Sequence, residues 1–247
     1  MIGTCVRSRP GPAWDLQVKL FYMPGACSLA SHIALIWAGA DYGLVRLDHE
    51  SEHSPDFLRL NPKGAVPVLL VQEHFVLTES LAILLYIADR YPHSNLGAPA
   101  AGELGRAQLN EILAELVTEV HKAFAPTFVP ERYTTDPSAI ESVRSAAHIQ
   151  LDKVFKRLED LMQGNHWLLF DRRTVADAYL YVMCRWKSRT PTALSQFPGL
   201  AGFKARLDAD IGVAKALREE RIDEGKMVER KGIEPSTSAL RTQRSPS

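Results

Sequence analysis

Apolar and polar positions change their spacing once along this chain, near residue 92. Before that point, short apolar runs alternate with polar turns. Val18-Lys19-Leu20-Phe21-Tyr22 reads as a strand, 29–38 as a helical stretch ending near Gly39, and 42–47 as a second strand. A strand–helix–strand unit this short implies a parallel pair with a right-handed crossover. Residues 48–61 are polar and irregular, with a short helix at 55–60. A third strand at 67–71 turns through Gln72-Glu73-His74 into a fourth at 75–77, and 78–90 is helical.

Beyond the linker the period is helical throughout. Leu109, Ile112, Leu113, Leu116, Val117 and Val120 mark one amphipathic face. Over 139–162, Val143, Ala147, Leu151, Val154, Leu158 and Leu161 form another. Thr174-Val175-Ala176-Asp177 is a capping-box start, and short helices run from Phe197 to about Glu220. The expected architecture is therefore an α/β unit of βαβ-ββα order over 18–95, a linker over 96–102 and an all-α domain over 103–222. Residues 1–17, with Pro10-Gly11-Pro12, read as an unstructured extension, and the polar residues 223–247 as a disordered tail.

Composition adds exclusions. Formal net charge is zero, so nothing points to a nucleic-acid or membrane partner. Cys5, Cys27 and Cys184 are too widely spaced for a disulfide framework or a metal site, which suits a reducing compartment. No apolar run is long enough to span a bilayer, and no signal peptide is legible. A cytoplasmic protein without a metal is expected.

Three local motifs carry candidate chemistry. Cys27, after the turn Met23-Pro24-Gly25-Ala26, stands at a helix start, where unpaired N–H groups and the helix dipole favour a thiolate. In Asn61-Pro62-Lys63-Gly64-Ala65-Val66-Pro67, a cis Val66–Pro67 bond would turn the Val66 amide groups outward to pair with an extended peptide. Thr78-Glu79-Ser80 opens a helix. Its N–H groups and hydroxyl suit an anion, and Glu79 suits an amine. Each has a plainer reading: Ser80 can simply cap its helix, Glu79 can be a favourable first-turn acid, and Cys184 reads as core. His32 is as readily structural as functional, and Trp186 and Arg185 either line a cleft or pack. Together, a carboxylate site, an ammonium site, a backbone clamp and a thiol-stabilising helix end complement glutathione.

The run Lys19 through Ser28, with Val66-Pro67, Thr78-Glu79-Ser80, His121-Lys122 and Thr174-Val175-Ala176-Asp177, resembles the glutathione S-transferases, specifically the bacterial beta class with its N-terminal cysteine. The resemblance covers about residues 18–220. It implies a thioredoxin-like first domain, an all-helical second domain and a homodimer. Glutathione would be the co-substrate and a small hydrophobic electrophile its partner. By match, Cys27, Ser28 and His121 are the catalytic candidates, and Val66, Glu79, Ser80, Lys122 and Asn110 the glutathione-binding ones. The implied activity is conjugation of the glutathione thiolate to electrophiles, glutathione-dependent thiol–disulfide chemistry through Cys27, or both. The alternative is a non-catalytic interaction module on the same fold. Tyr22 matches the family's first-strand tyrosine, which is not the main activator in this class. Phe170 stands where the family has a glycine suited to a special backbone angle. Family chains begin about one residue before the position of Lys19, so translation is expected to start at Val18 and the tail to have no family counterpart.

Overall fold

The computed structural model describes residues 18–72, 74–99 and 103–222. The extension, the tail, Glu73 in the expected turn and the end of the linker lie outside the described residues. Strands β1 (Val18–Tyr22), β2 (Tyr42–Arg46), β3 (Val68–Val71) and β4 (Phe75–Thr78) form one mixed sheet of order β2-β1-β3-β4. β1 runs parallel to β2, with Leu20 opposite Leu44, and antiparallel to β3, with Leu20 opposite Leu69. β3 and β4 form the expected hairpin. Helices α1 (Ser28–Trp37), α2 (Pro55–Leu60) and α3 (Ser80–Arg90) complete the thioredoxin-like unit in the expected order.

The helical part contains α4 (Glu103–Glu115), α5 (Lys122–Phe128), α6 (Ile140–Met162), α7 (Val175–Lys187), α8 (Pro198–Asp208) and α9 (Ile211–Glu219). α7 is buried along its whole length, and α1 is buried at every position but Ile36. The two pack on each other, and their apolar side chains face the core on nearly all sides. One continuous core results, running from Leu20 and Leu69 under the sheet to Phe155 and Phe203 in the helical part. Leu96, expected in a linker, is fully buried in this core, and its carbonyl accepts the Val175 N–H at 2.9 Å.

The capping box forms as expected. Thr174 Oγ1 accepts from the Ala176 N–H at 3.2 Å, and Asp177 Oδ2 accepts from the Thr174 N–H at 2.7 Å. Asp177 Oδ1 also accepts from the Leu168 N–H at 2.9 Å. Phe170 adopts φ 58°, so the backbone keeps the left-handed angle that a glycine would suit.

Two helical expectations need correction. The face running through Val120 is not one α-helix: α4 ends at Glu115, and a π-helical turn, Leu116–His121, carries the chain into α5. A π turn bonds one residue further along than an α turn, which rotates α5 relative to α4, and His121 sits at its end. On α6 the buried stripe is Ala147, Leu151, Phe155, Leu158 and Met162. Leu161 is 37% exposed, and Val143 and Val154 are only partly buried. The helix rolls toward its bulkiest apolar side chain: Phe155 meets Phe124 edge-on at 5.9 Å and Phe197 at 6.0 Å.

Candidate functional site

The loop from β1 into α1 is held from three sides. Ser28 Oγ accepts from the Met23 N–H and donates to the Met23 carbonyl, each at 3.3 Å, which closes the turn. Gly25 takes φ 70°, a glycine conformation. Its N–H donates to Glu220 Oε2 at 3.0 Å, and its carbonyl accepts from Trp186 Nε1 at 2.9 Å. Ser28 is fully buried and its hydroxyl serves this turn.

Cys27 occupies the cap position of α1 and is 8% exposed. Its thiol donates to the Val66 carbonyl at 3.4 Å, and the Val66–Pro67 peptide is cis. Burial works against the thiolate expectation. Burial pushes the Cys27 thiol up to about 11, although the Ser80 hydroxyl and the amides of Cys27 and Ser28 pull the other way. Helix-end effects fade within a turn and are worth about 0.3–1 kcal/mol at exposed sites. Desolvation shifts a buried group by several pKa units and wins here.

Ser80 opens α3 and is 6% exposed. Its hydroxyl lies close enough to the Cys27 thiol and the Tyr179 phenol to act on the titration of both. The Ile83 N–H is the first in α3 to bond back, to the Glu79 carbonyl at 3.0 Å, so the amides of 80–82 have no acceptor within the helix. Glu79 adopts φ 71°, ψ 122°, and its exposed carboxylate pairs with Lys63.

His121 approaches from the other domain. Its Nδ1 lies 2.6 Å from the Tyr179 hydroxyl, and its ring stands edge-on to Trp186 at 5.1 Å. Burial pushes the imidazole down to about 4, with the Glu79 charge opposing. The ring is therefore neutral at pH 7. Phe124 and Phe128 each meet the same Trp186 edge-on at 5.3 Å, which extends an aromatic wall from His121.

Cys27, Ser80, Val66, Glu79 and His121 thus come together. Lys122 comes directly after His121 in sequence, exposed at the start of α5. Asn110 does not join the group. It lies exposed on α4, accepting from Arg106 Nε at 3.3 Å, while Arg106 pairs with Asp89 of α3. Tyr22 faces elsewhere: its hydroxyl is raised by burial and then by Glu220, and its ring packs on His32 at 6.1 Å. His32 is structural, bonded at 3.0 Å to Glu220 and at 2.8 Å to Glu219. Cys184 is fully buried core. Tyr179 was missed by sequence reasoning. A tyrosine within Ala178-Tyr179-Leu180-Tyr181-Val182 reads as packing, and only the buried hydroxyl's need for a partner hinted otherwise.

A thioredoxin-like sheet domain with a thiol at its first helix, closed by a helical domain that brings up an imidazole, defines a glutathione-handling class of protein. Family comparison agrees: residues 16–89 match the glutathione S-transferase N-terminal domain, and residues 118–220 match the C-terminal domain. This chain belongs to the glutathione S-transferase family. It is 39% identical over 203 residues to glutathione S-transferase GST-4.5 of Xanthomonas campestris pv. campestris, covering 82% of this chain and 98% of that relative. It is similar to a sphingomonad glutathione S-transferase solved with glutathione (38% identity, TM-score 0.74, 83% of this chain and 100% of that one). A bacterial beta class enzyme of Sphingomonas chungbukensis is 37% identical, with TM-score 0.73, covering 82% of this chain and 98% of that one. Among the described residues no helix is long and apolar enough to cross a membrane.

Proposed function

We propose that this transferase joins the sulfur of glutathione to a small apolar electrophile, with Cys27 and His121 as hydrogen-bond donors to that sulfur. The observation that carries the reading is a buried Cys27 thiol bonded to the Val66 carbonyl, with His121 and its partner Tyr179 held beside the same loop by Trp186. A free thiol has a pKa of about 8.5, so glutathione is mostly protonated at neutral pH. Neutral donors fixed around its sulfur favour the thiolate without introducing a competing nucleophile. The glutathione thiol gives its proton to solvent; the thiolate then forms a carbon–sulfur bond, and the leaving group departs with its electron pair. A Cys27 held as S–H makes conjugation the favoured branch over exchange through a Cys27 mixed disulfide, since thiolates are the attacking species.

The remaining contacts fit the tripeptide. The unclaimed amides at the start of α3, with Ser80, take the γ-glutamyl carboxylate. Glu79 takes the ammonium, and Val66 supplies backbone hydrogen bonds. Lys122 and Lys63 offer positive charge to the glycyl carboxylate. Phe128, exposed and backed by Trp186, offers apolar surface to a flat electrophile. A homodimer is supported by large apolar side chains left exposed, Phe75 on edge strand β4 and Leu104 on α4. The free thiols of Cys27 and Cys184 support a reducing cytoplasm.

Calorimetric titration of glutathione into wild type and Ser80→Ala tests the site. Micromolar-to-millimolar binding, weakened in the variant, is the expected result. Absence of binding to wild type would overturn the reading.

A further inference from the structure

We propose that Tyr179 is a positioning residue that fixes the tautomer of His121, leaving the imidazole proton on Nε2 as the donor to the glutathione sulfur. This rests on the reading of His121 as a residue that faces that sulfur.

Tyr179 lies in the middle of α7 and is fully buried, yet its hydroxyl meets a side chain on a different element, His121 Nδ1, at 2.6 Å. A neutral imidazole has one donor and one acceptor nitrogen, and the hydrogen bond at one nitrogen determines the role of the other. Two arrangements fit a short bond between a phenol and Nδ1: the phenol donates, or the imidazole does. The phenol's own proton decides between them. Among the described residues His121 Nδ1 is the partner within reach of the buried hydroxyl; were the imidazole the donor, the phenol's own proton would be left without an acceptor, so the phenol donates. Burial raises the phenol well above its ordinary value, so that proton stays in place at neutral pH. Trp186, edge-on at 72° to the imidazole, holds the ring plane. Trp186 also donates to the Gly25 carbonyl two residues before Cys27, which places the pair beside the loop that carries the thiol. A donor chain results, from Tyr179 to His121, and its last donor is Nε2–H.

Long-range proton–nitrogen NMR of the 15N-labelled full chain reads the tautomer directly, without substrate. Wild type is expected to show His121 protonated on Nε2 alone, and Tyr179→Phe a mixture of both tautomers. An Nδ1–H signal in wild type overturns the inference, as does an unchanged Nε2–H signal in the variant. The wild-type spectrum decides even where the variant folds poorly. Turnover provides the second readout. Tyr179→Phe should lower kcat about tenfold, the low end of what losing an outer hydrogen-bond partner costs, with KM for glutathione little changed. In a His121→Phe background the same substitution should add nothing. If both single variants keep wild-type kcat while the tautomer shift is seen, the sulfur-facing role of His121 fails rather than the tautomer assignment.

Discussion

Glu220 accepts the backbone N–H of Gly25 at 3.0 Å across 195 residues of chain. The Gly25 carbonyl is taken by Trp186 of α7. Both polar groups of the residue two places before Cys27 are therefore satisfied by the helical domain. The position of the thiol is thus a property of the domain interface as much as of the turn. His32, in the middle of α1, bonds the same carboxylate and that of Glu219, so the end of α9 is locked to the helix that carries the cysteine.

Glu220→Ala should therefore destabilise the protein well beyond a surface substitution. It strands a buried N–H and one face of a buried imidazole, and an unmet buried group costs about 1–3 kcal/mol. Urea unfolding measures it, with Glu220→Gln expected to lose less because the amide oxygen can still accept. A midpoint unchanged by Glu220→Ala would show that the contact holds nothing.

Cys27 should alkylate slowly at neutral pH in the absence of glutathione. With the thiol pushed up to about 11 by burial, the thiolate fraction rises about tenfold per pH unit below that value. Iodoacetamide labelling with mass-spectrometric detection should track this rise from pH 7 to pH 10. A rate already flat near pH 7 would mean that the helix end, not burial, controls the thiol.

Much of this was legible in the sequence because the signals were local. The order of elements along the chain, the Thr174 capping box and the candidate cis bond at Val66–Pro67 each arise from neighbouring residues. The features that escaped depended on tertiary context. The thiolate expectation weighed the helix end and had no means to weigh burial. The π-helical turn that aims His121 lies inside an apolar pattern that any helical segment would satisfy. Tyr179 acquires its role from a partner 58 residues away. On α6, periodicity allowed two neighbouring stripes, and Phe155 settled which faced inward only once its aromatic neighbours were in place.

Tyr22→Phe should leave kcat/KM nearly unchanged, because the hydroxyl's charged neighbours are Glu220, Arg46, Arg221 and Glu219. A conjugation assay with an activated aryl chloride measures this. A loss on the order of 100-fold, the scale of removing a group that handles the reacting proton, would place Tyr22 at the sulfur after all.

His121 gives the protein a pH-dependent stability whose sign is fixed by burial. Its folded pKa is pushed down to about 4 from the ordinary 6.5. Between those values the unfolded chain binds a proton that the folded chain does not, so stability falls as pH falls. Each unit of difference is worth about 1.4 kcal/mol, and the loss spread over this window is a few kcal/mol at most. Asp177 acts in the opposite direction: burial raises it to about 6, so its contribution grows as pH falls from that value toward 3.8. The two windows overlap, and the wild-type curve alone will look flatter than either group would make it. Comparing wild type with His121→Phe across pH 7.5 to 4.5 cancels Asp177 and isolates the imidazole. The variant should gain stability relative to wild type as the solution is acidified. A difference independent of pH would show that His121 titrates normally and is reached by water.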